Sequence, residues 1–183
     1  MIYDWLSAPD PSSNYKKALD DRHTGTGIWF VTSKEFVDWK NNCNSFLWLY
    51  GIPGSGKSTL AATVVENVMD DCRLASDMAA AYFYFDFADH AKQQCENMIR
   101  SLITQLAMQS MHMPHALSSL YSTYSSRKIQ LTLSALLSTL HEIIEQFQNV
   151  FIILDAWMSA ARETSFLQLW KIFLAGNTLG FIF

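Results

Sequence analysis

Leu47-Trp48-Leu49-Tyr50-Gly51-Ile52-Pro53-Gly54-Ser55-Gly56-Lys57-Ser58 is the stretch whose reading decides the fold. Phe46 to Tyr50 is short, aromatic and aliphatic, and it stops at Gly51, as a buried strand running into a glycine turn does. Past Lys57 the period changes. Leu60, Val64 and Val68 recur at helical spacing and mark one face of a helix. Between strand and helix, Gly51 to Ser58 satisfies G-x-x-x-x-G-K-[ST], the P-loop pattern.

The pattern has a chemical rationale. Successive backbone N–H groups can surround a polyphosphate when glycines clear the approach, here Gly51, Gly54 and Gly56. The helix opening near Lys57 directs unpaired N–H groups and its positive dipole end at the same place. Lys57 adds a full charge and the Ser58 hydroxyl a ligand for Mg²⁺. The expectation is therefore a nucleotide site, for ATP or GTP, made of Gly51, Pro53, Gly54, Ser55, Gly56, Lys57, Ser58 and Thr59. A plain strand-to-helix turn is the alternative reading.

A second acidic position completes such a site. Val150-Phe151-Ile152-Ile153-Leu154 is an unbroken apolar run of the kind found in central parallel strands, and it closes on Asp155. Asp155 and Ser58 are the expected Mg²⁺ ligands; the competing role for Asp155 is a helix or turn cap. Hydrolysis needs a group to orient water. The next four residues, Ala156 to Ser159, supply no carboxylate, and Glu163 fits a helix start better than a base. No catalytic residue is assigned, and Asp155 is only the nearest candidate.

Outward from these motifs, Met1 to His23 reads as a polar arm with breakers at Pro9, Pro11, Ser12 and Ser13, and 24–183 as the nucleotide-binding domain. Ser33 is positioned to cap a helix over Lys34 to Lys40. Ala79 to Phe87 reads as a second strand. Met98, Leu102 and Leu106 lie on a helix that Pro114 ends, or that gives way there to another running toward Tyr124. Thr132 caps a helix bearing Leu136, Leu140 and Ile144. A final helix fits Ser165 to Leu174, and Leu179 to Phe183 fits one more strand. Strands alternating with helices imply an α/β fold, and the P-loop makes it a three-layer P-loop NTPase sandwich with a mostly parallel sheet, incomplete at the C-terminus.

Composition excludes other classes. The chain has 183 residues, half of them hydrophobic, with a formal net charge of −4. That balance argues against a nucleic-acid binder or a polybasic membrane contact. No apolar run approaches the roughly 18 residues of a membrane span, and Met1 to Pro11 has no signal-peptide pattern. Cys43, Cys72 and Cys95 form neither a metal pattern nor a disulfide framework, which points to a cytoplasmic setting. His112 and His115 stand three apart with Pro114 between them, which argues against a helical metal pair.

Taken together, these residues resemble the NACHT class of STAND NTPases, and more closely the nephrocystin-3-like N-terminal region of fungal NACHT proteins. Four stretches carry the resemblance: Gly25-Thr26-Gly27-Ile28-Trp29-Phe30 with Glu35, Phe36 and Trp39; Leu47 to Ser58; Tyr82 to Phe87 with Lys92-Gln93, Arg100 to Ile103 and Gln105-Leu106; and Phe151 to Ala156. The resemblance implies a nucleotide-dependent signalling switch that self-associates. It places Gly25 to Trp29 near base and ribose, although Trp29, Phe30 and Phe36 equally suit packing the arm onto the sheet. The acidic pair that the family carries after its Walker B strand is replaced by Met158 and Ser159, which implies weak or absent hydrolysis. Two other readings stand beside the switch: an active P-loop NTPase, and a truncated, non-enzymatic interaction fragment whose uncovered sheet edge pairs with other chains.

Overall fold

The computed structural model describes residues 2–42, 44–52, 54–127, 131–155, 171–173 and 178–182. The apolar run before Asp155 forms β3, Asn149–Asp155, and everything else is arranged about it. β2, Met78–Tyr84, lies parallel along one side, with Met78 opposite Asn149 and Tyr84 opposite Asp155. β4, Thr178–Ile182, lies parallel on the other side, and β1, Phe46–Trp48, follows it. The order is β1-β4-β3-β2, so β1 and β2 are the two edges.

Alternate strand residues point to opposite faces, and each face has its own core. Ala79, Ala81, Phe83, Val150, Ile152 and Leu154 meet the apolar stripes of α6 (Cys95–Gln109) and α8 (Leu133–Ile144), including Met98, Leu102, Leu106, Leu136, Leu140 and Ile143. Ala80, Tyr82, Tyr84, Phe151 and Ile153 meet Ala61, Val64, Val65 and Val68 of α5, Lys57–Leu74. α7, His115–Arg127, packs on α8.

The helix ends follow the sequence closely. The Ser33 side chain accepts from the Phe36 N–H at the start of α4 (Lys34–Asn41), and Thr132 accepts from the Ala135 N–H at the start of α8. β3 and β4 lie close to where the apolar runs placed them. β2 starts one residue before the expected position and stops three residues short of Phe87, and β1 stops two short of Tyr50. The segment Ser165 to Leu174 falls outside the described residues except for 171–173, which are helical.

Two expectations are corrected. The arm was read as polar and interrupted by breakers, with little regular structure implied, yet it holds α1, Ile2–Leu6, and α2, Ser12–Asp20, followed beyond it by the short helix α3, Ile28–Val31. Tertiary contact explains this: Leu6 and Ala18 are buried, and the Arg100 guanidinium donates to the Leu6 carbonyl at 2.8 Å. The second correction concerns the fold class. A P-loop NTPase sandwich dominated by a mostly parallel sheet was expected. The described chain is instead mostly helical, with eight α-helices around a small, open sheet. Only the β2–β3 ladder runs for seven residues; β1 contributes three.

Gly180 marks the tightest point of the sheet. Its N–H donates to the Ser45 carbonyl at 3.0 Å, and its carbonyl accepts from the Trp39 indole N–H at 2.9 Å. A Cβ there would stand 2.0 Å from Cζ of the Phe46 ring, well inside van der Waals contact. Gly180→Ala should therefore force β1 and β4 apart. Urea denaturation should show a loss on the order of 1–3 kcal/mol, as overpacked sites do.

Candidate functional site

The turn after β1 folds upon itself. The Ser55 N–H donates to the Ile52 carbonyl at 3.2 Å, and Gly56, at φ 80°, caps α5 in the left-handed region that favours glycine. Its carbonyl accepts the first helical bond, from the Leu60 N–H at 2.9 Å. The Lys57 ammonium turns back into the loop and donates to the Gly51 and Ile52 carbonyls, both at 2.9 Å. The charge expected to face an anion is thus engaged by the loop's own backbone. Pro53 lies outside the described residues.

Ser58 and Asp155, more than ninety residues apart in sequence, line one cavity, and the Ser58 side chain is close enough to favour the charged Asp155 carboxylate. Burial pushes the Asp155 carboxyl above its ordinary value. The Ser58 side chain and the Lys57 charge oppose that shift. Beside this pair lies a cavity of about 350 Å³ that takes in Thr59 as well. Among the described residues its charged lining is Asp21, Asp86 and Asp155 against Lys17, a poor environment for a polyanion. The described residues between Gly51 and Lys57 are not part of that lining. Tyr84 also lines the cavity; its hydroxyl is buried, has no hydrogen-bond partner among the described residues, and is held protonated by burial and by the nearby Asp155 charge.

Several residues here escaped the sequence reading. Lys92 is buried and donates to the Ser13 hydroxyl at 2.7 Å and to the Asn14 amide oxygen at 2.5 Å. The Asn14 amide donates in turn to Asp86 at 2.8 Å. This network clamps α2 over the end of β2. Asp86 also accepts from the Ala88 N–H, and both bonds hold its carboxyl below the ordinary range. No sequence motif announces such a network; a lone lysine after a strand is its only trace. The Gly25 to Trp29 segment divides. Phe30 and Phe36 pack against each other in the core, whereas Trp29 is 68% exposed.

Against known families, residues 25–178 match the model described as Nephrocystin 3, N-terminal. No curated protein and no solved structure matches the chain. The chain belongs to the nephrocystin 3 N-terminal family. The expected NACHT-class STAND NTPase is corrected: the fold is a mostly helical domain with a small open sheet. The expected ATP- or GTP-binding switch is corrected with it, because the glycine loop is closed by Lys57 and the adjoining cavity is acidic. Among the described residues, no helix is long and apolar enough to cross a membrane, and no three His, Cys, Asp or Glu side chains cluster as a metal site.

The raised Asp155 carboxyl gives a pH test. A folded value above the unfolded one means that the native state takes up a proton first as pH falls. The stabilising contribution is complete below the ordinary carboxylate value and is lost as pH rises through the folded value. Asp155→Asn removes the buried charge and keeps an oxygen for Ser58. Denaturation at pH 7 should show it at least as stable as the parent, with the difference shrinking toward pH 4. A clear loss of stability at pH 7 would contradict this assignment.

Proposed function

We propose that the chain is a non-enzymatic interaction module that accepts an extended segment of another polypeptide along the outer edge of β1. The observation that carries this reading is the unequal treatment of the two sheet edges. The β2 edge is sealed. Gln109 accepts from the Ala80 N–H at 3.0 Å and donates to its carbonyl at 2.7 Å, and Gln105 does the same for Tyr82 at 3.1 and 2.8 Å. Two side-chain amides thus replace a neighbouring strand.

Among the described residues, no side-chain amide pairs with the outward backbone of Trp48 in this way. In a parallel ladder alternate residues direct their N–H and C=O to opposite sides. Ser45 faces β4 through its bond from Gly180, so Trp48, three residues on, faces outward. Around it the chain exposes apolar surface: Trp48 at 56%, Tyr50 at 88% and Ile52 at 77%. Exposed edge amides beside large apolar side chains are what strand addition uses. A cytoplasmic setting accompanies this reading, supported by Cys72 and Cys95, neither of which is in a disulfide.

Trp48→Pro tests it, since the substitution removes an outward N–H without touching the bonds to β4. A fluorescein-labelled peptide of alternating Val and Thr should bind the parent saturably. The Pro variant should bind it at least tenfold more weakly while keeping its helical circular dichroism. Equal binding by both, or none by the parent, refutes the proposal.

One observation favours a second ligand, Mg²⁺, at Ser58 and Asp155. Their side chains meet at a cavity that Tyr84 also lines, and the buried Tyr84 hydroxyl has no partner among the described residues. Hydroxyl and carboxylate oxygens suit a hard cation. Calorimetric titration with Mg²⁺ should give one site, lost in Ser58→Ala. Equal heats from parent and variant would dismiss it.

A further inference from the structure

Away from both edges, a cavity of about 350 Å³ opens between the end of α6 and the start of α7, and Met111, His112, Met113 and His115 all line it. The segment carries two imidazoles and two thioethers within five residues. Helical geometry does not constrain them. α6 ends at Gln109, Ser110 is extended at ψ 140°, and α7 begins at His115 after Pro114. The sequence argument, that Pro114 disfavours a helical metal pair, spoke only of a helix. The structure has a loop there, and both histidines border one space.

We propose that Met111, His112 and His115 form a binding site for a soft monovalent d¹⁰ cation, Cu(I). One argument selects that class and another selects the methionine. Among the described residues no carboxylate lines the cavity; its remaining polar side chains are Ser76, Ser110 and Gln146. A hard divalent ion would find no charge to neutralise it, whereas neutral imidazole and thioether donors hold Cu(I). The two methionines also differ. Met113 sulfur already accepts from the Tyr3 hydroxyl at 4.0 Å, while Met111 is 85% exposed and available to turn inward. Binding involves no electron transfer: neutral donors take up Cu(I) as Cu(I). The site does not depend on the β1 edge or on Asp155.

The test uses the full chain, anaerobic and reduced, with Cys43→Ser and Cys72→Ser as background so that thiolates do not compete. Competition for Cu(I) against the chromophoric chelator bicinchoninate should show one equivalent bound. The double variant His112→Ala, His115→Ala should lose that equivalent. Met111→Leu should weaken Cu(I) at least tenfold, and Met113→Leu should change it less than threefold. These side chains are exposed, and an unchanged helical circular dichroism spectrum confirms folding. No copper taken from the chelator by the background protein, full retention in the double histidine variant, or indifference to Met111→Leu each overturns the proposal.

Discussion

A buried sheet must satisfy every backbone amide along its strands, and this constraint organises the molecule. β3 meets it from both sides, through β2 and β4, and its side chains from Val150 to Leu154 are buried on both faces. The requirement then passes to the edges. At β2 the amides of Gln105 and Gln109 reach across from α6 and stand in for a strand. At β1 the outer side is left to whatever comes to meet it. An open edge is a hazard that proteins blunt or use. Here it lies beside Trp48, Tyr50 and Ile52, all exposed, which is why use is the reading adopted.

The arm serves the same scaffold from outside. Lys92, buried at the end of β2, has its ammonium satisfied by Ser13 and Asn14 of α2, and Asn14 passes the connection to Asp86. An unpartnered buried lysine would be costly, so the side chain and the helix that satisfies it depend on each other. On the opposite flank, Arg100 pairs with Glu96 on its own helix and also holds the end of α1 through the Leu6 carbonyl.

Much of the fold was legible because it rests on local rules. Ser33 and Thr132 cap helices as their positions suggest, and the run before Asp155 is the central strand. The strand ends were harder to place, because they are set by partners. The last β2-side bond runs from the Phe85 N–H to the Asp155 carbonyl, after which Asp86 and Asp89 turn the chain by accepting from Ala88 and Ala91. The arm helices were illegible for a related reason: their composition is polar and their stability is tertiary. At the site, Ser58 and Asp155 were paired from the P-loop pattern as ligands of one ion, and the structure places both on one cavity. The direction of the Lys57 side chain was not legible, since a motif fixes spacing and leaves the rotamer to the loop. That direction, with the acidic lining from Asp21 and Asp86, changes the function drawn from the motif.

Amide hydrogen exchange resolved by residue tests the central claim most directly, because it reads both edges in one experiment. The account predicts that the Ala80 and Tyr82 amides, held by Gln109 and Gln105, exchange as slowly as those of β3, while the Trp48 amide of the isolated chain exchanges orders of magnitude faster. A protected Trp48 amide in the isolated chain, or fast exchange at Ala80 and Tyr82, would contradict it.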